Sequence, residues 1–135
     1  MRLLHTADWH LGRNLEQYSR LDEQAAFLDE INLICRDQSV DLVLVAGDVF
    51  DAYNPSAAAE TLFYESLERL ADNGSRSVVV IAGNHDNPDR LCAAAPLALK
   101  HDIFLLGYPA DAPAKPSSPY QAAGSVLNRM NGCPE

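Results

Sequence analysis

Apolar and polar positions fall in blocks along the first hundred residues, and the period of each block selects its structure. Residues 2–7 (Arg-Leu-Leu-His-Thr-Ala) are mostly apolar and run straight into the polar cluster Asp8-Trp9-His10, which predicts a strand ending at that cluster. Residues 41–46 (Asp-Leu-Val-Leu-Val-Ala) and 77–82 (Ser-Val-Val-Val-Ile-Ala) are apolar without alternation, as expected of strands covered on both faces, and they end at Gly47-Asp48 and Gly83-Asn84. A shorter strand is predicted over 103–106 (Ile-Phe-Leu-Leu), ending at Gly107. The intervening blocks have helical spacing. Over 19–37, Leu21, Ala25, Leu28, Ile31 and Cys35 share one face, with Ser19 as the expected cap and Asp22 at the acidic capping-box position. Over 55–73, Leu62, Ser66 and Leu70 with Ala58, Phe63 and Leu67 make the inner stripe; Asn54 is the expected cap, Pro55 sits in the first turn and Gly74 stops the helix. A short helix is predicted from about residue 88, started by Pro88 and ended or kinked by Pro96.

The order β-α-β-α-β-α-β defines an α/β fold, a mostly parallel sheet with crossover helices. No internal repeat is present. From Pro109 the character changes: residues 109–124 hold four of the eight prolines and little periodicity. The expected organisation is therefore one domain over residues 1–109 and a linker or poorly ordered tail over 110–135.

Composition narrows the class. The 135 residues are 47% hydrophobic, enough for one globular core. No apolar run approaches the roughly 20 residues needed to span a bilayer. The start, Met1 to His5, is too short and too soon polar for a signal peptide, so no membrane partner and a cytoplasmic location are expected. Cys35, Cys92 and Cys133 are odd in number and far apart, which matches neither a zinc spacing nor a disulfide framework; they read as buried or incidental thiols. The net charge of −9, with the ten basic residues scattered singly, disfavours an autonomous non-specific DNA binder. Action on a phosphodiester would require bound cations to invert the local field, or a partner.

The polar clusters supply such cations with ligands. Asp8-x-His10, Gly47-Asp48-Val49-Phe50-Asp51 and Gly83-Asn84-His85-Asp86 each sit at the carboxyl end of a predicted parallel strand, the edge where open α/β sheets bind ligands. Carboxylates with imidazole suit manganese, iron or zinc better than calcium. Asp8 and His10, two apart, would share one face of an extended strand and could hold one ion. Asp48 has two oxygens and could bridge two ions, and Asn84 offers a neutral oxygen to the second. Two ions roughly 3.5–4 Å apart bind a phosphate and stabilise in-line displacement. His85 is then the candidate acid for the leaving oxygen, and Asp86 could orient it or hold its proton. Asp51 reads equally as a carboxylate behind a ligand or a loop cap. Arg13 and Arg90 could touch phosphate or simply be solvated. Trp9 could line the site or serve as a structural wedge, His5 reads as a packed or edge histidine, and His101 as a helix-end charge.

These three strings resemble the first three motifs of the calcineurin-like metallophosphoesterases. The longer strings His5-Thr6-Ala7-Asp8-Trp9-His10-Leu11-Gly12, Ala46-Gly47-Asp48-Val49-Phe50-Asp51 and Ile81-Ala82-Gly83-Asn84-His85-Asp86 resemble the DNA-repair nuclease subunits within that family, over about residues 1–109. The resemblance implies the first half of an αββα sandwich. It implies a manganese-dependent nuclease that trims double-stranded ends and cuts single strands or hairpins, within a complex holding two copies each of the nuclease and a coiled-coil ATPase. It also implies that Asp8 and His10 bind the first metal, Asp48 bridges, Asn84 binds the second, and His85 assists the leaving group.

The family pattern continues with further histidines, ending in Gly-His-x-His. This chain has no histidine after His101. On these residues the first ion has Asp8, His10 and Asp48, the second only Asp48 and Asn84, and a truncated or early-terminated form with one bare sheet face is expected. Two other readings compete. One is a metallophosphoesterase acting on nucleotides, phosphoproteins or small phosphodiesters; the other is a non-catalytic fragment or interaction module.

Overall fold

A computed structural model describes residues 1–111. Six strands and four helices follow in chain order among these residues: β1 (Leu3–Thr6), β2 (Asn14–Leu15), β3 (Tyr18–Ser19), α1 (Leu21–Asp37), β4 (Leu42–Ala46), α2 (Ala57–Ala71), β5 (Ser77–Ile81), α3 (Pro88–Cys92), α4 (Ala95–Ala98) and β6 (Ile103–Leu106). The main sheet is parallel throughout and ordered β1-β4-β5-β6. The predicted α/β architecture is therefore the observed one.

Strand order equals chain order, so right-handed crossovers carry every helix to the same side of the sheet. The aligned rows Leu4-Val43-Val78-Ile103 and Thr6-Val45-Val80-Leu105 face those helices. Their valines, Ile103 and Leu105 join Leu28, Ile31 and Cys35 of α1 and Phe63, Leu67 and Leu70 of α2 in one buried core. The alternate rows, His5-Leu44-Val79-Phe104 and Ala46-Ile81-Leu106, lie on the other side. There Leu3 and Ile81 remain 48% and 41% exposed. The non-alternating runs predicted burial on both faces. Among the described residues the helices pack on one face, because strand order follows chain order, and the second face is covered only in part: Leu42 and Phe104 are buried there while Leu3 and Ile81 are exposed.

Local differences from the predicted elements have identifiable causes. Residues 14–19 form a small hairpin, β2 paired with β3, that the sequence conceals: its turn is Glu16-Gln17, with Glu16 at φ 55°, and contains no glycine. Ser19 lies in that hairpin, so α1 starts at Leu21 after Arg20 with no side chain on the cap position, although the Ser19 hydroxyl accepts from the Leu21 N–H at 3.3 Å. The cap of α2 is Ser56, not Asn54; its hydroxyl accepts from the Ala59 N–H at 3.2 Å. Ala59, fully buried and one turn before Phe63, is on the inner stripe, and Ala58 is outside. Pro96 occupies the first turn of α4, where its missing N–H is not needed, so it starts a helix instead of ending one. Replacing Ser56 with alanine is expected to cost about 1 kcal/mol of stability, measurable by urea denaturation, without touching the polar strand ends.

The candidate metal centre

Three loops leave the carboxyl ends of β1, β4 and β5 side by side, because those strands are neighbours in the sheet. The β1 loop stays in register with the β4 loop beyond the strands. The N–H groups of Asp8, His10 and Leu11 donate to the carbonyls of Gly47, Asp48 and Val49 at 3.1, 3.0 and 2.9 Å. This fixes the loops against each other at the point where the polar residues emerge.

The backbone there is held away from its usual wells. Asp8, His10 and Asp48 have φ values of 55°, 45° and 48°, all left-handed. Asp and His tolerate that region better than most residues, yet it persists only when surroundings over-determine it, and such residues cluster at functional sites. The extended-strand picture, in which Asp8 and His10 project together by alternation, is thus replaced by two left-handed residues flanking Trp9. The convergence survives: one ligand atom each from Asp8, His10 and Asp48 lie within 4.8 Å of one another. His10 Nε2 is 4.0 Å from Asp8 Oδ1. Two carboxylates and an imidazole at that separation suit a divalent transition ion.

Glycines make this approach possible. Gly47, at φ 86°, packs so tightly that an added Cβ would lie 3.1 Å from Gly83 Cα. A Cβ on Gly83 would lie 2.2 Å from both the backbone nitrogen and Oδ1 of Asp48. The two Gly-Asx turns are therefore in contact. Gly83→Ala is expected to lose about 3 kcal/mol through overpacking, read as a fall in the thermal unfolding midpoint, because the obstructing atoms are backbone and a ligand carboxylate.

The remaining site residues divide by what they touch. Asp51 Oδ1 lies 3.4 Å from His10 Nδ1, a buried nitrogen with no hydrogen-bond partner among the described residues, so Asp51 stands behind the imidazole on the side away from Asp8. Asn84 and His85 are exposed on the β5 loop. The His85 N–H donates to Asp48 Oδ1 at 3.1 Å, and its ring sits edge-on to His10 with centroids 5.3 Å apart. Asp86 has a different task from the one expected of it. It is 2% exposed, and its oxygens accept from the backbone N–H groups of Val49 (3.1 Å), Phe50 (2.8 Å) and Gly83 (2.7 Å). With both oxygens spent on backbone, Asp86 ties the β4 loop to the β5 loop and does not face a reacting group.

Other sequence candidates resolve plainly. Trp9 packs as a wedge, 5% exposed and donating from Nε1 to Thr6 Oγ1 at 3.0 Å, and it also lines the cleft beside Asp8 and His10. Arg90 is engaged by Glu60 at 2.6 and 3.1 Å. His5 lies on the sheet face away from the helices and His101 on an exposed turn. Burial raises the Cys35 and Cys92 thiols, so neither is an activated nucleophile, and Cys133 lies outside the described residues. Arg13 lines a cleft of about 320 Å³ that opens beside Asp8 and His10. Gln24 also lines it, and sequence reasoning missed this residue. Its amide holds the β1 loop from the α1 side, and nothing marks a glutamine in a helical stripe as a loop clamp.

A parallel sheet whose carboxyl edge gathers Asp-x-His, Gly-Asp and Gly-Asn-His defines a metal-dependent phosphoesterase scaffold, and the chain belongs to the calcineurin-like phosphoesterase family, whose model matches residues 1–132. Within that family it is 58% identical over 127 residues to the SbcD component of the nuclease SbcCD from Bacillus subtilis. It is 43% identical over 108 residues to the SbcD component from Rhodobacter capsulatus and 46% identical over 87 residues to that from Escherichia coli K12. These matches take in 94%, 79% and 64% of this chain but 32%, 27% and 22% of the relatives, so the chain spans about a third or less of their length. Among the described residues no helix is long and apolar enough to cross a membrane.

Proposed function

We propose that this chain forms the first metal-binding edge of an SbcD-like nuclease, over residues 1–109, hydrolysing DNA phosphodiesters with two divalent ions, manganese in preference. The observation that carries this reading is the meeting of Asp8, His10 and Asp48 ligand atoms within 4.8 Å at the edge of a parallel sheet. Asp8 and His10 would hold the first ion, Asp48 would serve both, and Asn84 would serve the second. When bound, such ions supply Lewis-acid polarisation of the phosphoryl oxygens and activation of the attacking water. The residues of the chain do the rest. Asp51 limits rotation of the His10 ring from behind. Asp86 keeps the Gly83 turn against Asp48. His85, exposed beside the ligands, protonates the leaving oxygen, and Arg13 meets a phosphate flanking the scissile one.

With a net charge of −9, the chain relies on the metals and on a partner to attract DNA. An SbcC-like coiled-coil ATPase fits that need, in a cytoplasmic complex with two copies of each component that serves DNA repair, recombination and replication. The test is a substrate panel offered to the protein assembled with such an ATPase and manganese: double-stranded DNA ends, hairpins, nucleotides and phosphoproteins. Cleavage confined to DNA is expected. Turnover of nucleotides or phosphoproteins instead would replace this reading with that of a general phosphoesterase, and silence on every substrate despite bound metal would leave an interaction module.

A further inference from the structure

Gln24 sits in the first turns of α1, half-buried, with its side-chain amide against the β1 loop. Nε2 donates to the carbonyls of His10 at 2.7 Å and Trp9 at 3.3 Å, and Oε1 accepts from the Gly12 N–H at 3.0 Å. One side chain thus bonds to three residues of a four-residue run. The amide's orientation follows from its surroundings: turned over, it would set its oxygen against two carbonyl oxygens and its NH₂ against an N–H.

The loop is consequently clamped from two sides by different groups. Its N–H groups point at β4, where Asp8, His10 and Leu11 donate to Gly47, Asp48 and Val49. Carbonyls of Trp9 and His10 turn to α1 and are met by Gln24. Both Asp8 and His10 need such clamping, since each holds a left-handed φ that an L-residue leaves when released. Gly12, at φ 87°, closes the run against α2, where an added Cβ would lie 3.2 Å from the Ala59 side chain.

We propose that Gln24 is a positioning residue of the metal centre: by fixing the peptide planes of Trp9 to Gly12 it holds the His10 imidazole where Asp8 and Asp48 can share an ion with it. This rests on the metal-site reading above. Gln24 touches neither metal nor substrate; it acts through His10. Groups that orient metal ligands typically change affinity 10–100-fold when removed, and Gln24 belongs at the lower end because the β4 bonds remain.

The test is titration of the 135-residue chain with manganese, followed by the electron paramagnetic resonance signal of the free ion. Gln24→Met, matched in length and without hydrogen-bonding amide atoms, is expected to weaken binding about tenfold. Ser75→Ala, which removes the hydroxyl bonds to Asp72 at 2.8 and 2.9 Å just before β5, at the opposite end of the sheet from the loop, is expected to leave affinity unchanged. Gln24→Glu separates positioning from charge. It adds a carboxylate near a dication, which by Coulomb attraction alone would tighten binding, yet it sets oxygen against the two carbonyls and is expected to weaken it. Tighter or equal binding by Gln24→Glu, equal binding by Gln24→Met, or an equal loss in Ser75→Ala would overturn the assignment. Should Gln24→Met not fold, Gln24→Glu decides alone. A parent chain that binds no manganese at all would instead sink the metal-site reading itself.

Discussion

Asp48→Asn is expected to lower manganese affinity by roughly 100-fold or more, with the fold intact. Asparagine keeps the size of the side chain and tolerates the left-handed φ of 48° as well as aspartate does. Its amide oxygen can still accept from the His85 N–H, now at 3.1 Å from Oδ1. What disappears is the negative charge and one of the two oxygens that the centre needs. On the ligand set proposed above Asp48 would serve both ions, so its loss would remove a ligand from each, whereas loss of Asp8 or Asn84 would remove one. The effect of losing a ligand outright starts where the loss of an orienting group ends, which sets the magnitude. Manganese titration of the variant beside the parent measures it, and an unchanged thermal midpoint in chelator confirms that only the site is altered. Affinity preserved in Asp48→Asn would mean that manganese binds elsewhere.

His85→Ala is expected to separate binding from turnover. The ring stands exposed at the mouth of the site, edge-on to His10, and the bond that joins His85 to Asp48 comes from its backbone N–H, which alanine retains. Manganese affinity should therefore remain that of the parent. On the proposed role of His85, protonation of the leaving oxygen would be lost, and a positioned general acid typically contributes roughly 10²–10⁴-fold to rate. Cleavage of a DNA hairpin by the complex with the coiled-coil ATPase should fall by about that factor at saturating manganese. A weakly basic leaving group such as nitrophenolate needs little protonation, so a nitrophenyl phosphodiester should lose much less. Equal losses on both substrates would show that His85 orients the site instead of acting as the acid, and undiminished activity on both would remove it from catalysis.

The sheet and its active edge are legible in the sequence because burial and punctuation coincide. Apolar runs at 41–46 and 77–82 stop at Gly-Asp and Gly-Asn, and the same glycines are in contact in the fold, Gly47 against Gly83. The meeting of Asp8, His10 and Asp48 can be anticipated from short strings since adjacent parallel strands bring their ends together whatever the loop details. The loop details are what the sequence hides. Periodicity says nothing of left-handed φ, so strand alternation predicts an alignment of Asp8 with His10 that the values of 55° and 45° replace. Asp86 misleads for a related reason: a carboxylate beside a histidine looks catalytic in sequence, while its three backbone donors come from residues up to 37 positions away. Gln24 is invisible on the same ground. Which sheet face the helices cover cannot be read from unbroken apolar runs, since strand order, not strand composition, decides where the helices go.

The convergence of three strand ends on one metal centre is tested most directly by anomalous diffraction at the manganese edge, from crystals grown with manganese. Expected is one peak in contact with Asp8, His10 and Asp48, with a second shared by Asp48 and Asn84. A map with no peak among Asp8, His10 and Asp48, or one whose manganese is bound without Asp48, would contradict the centre described above.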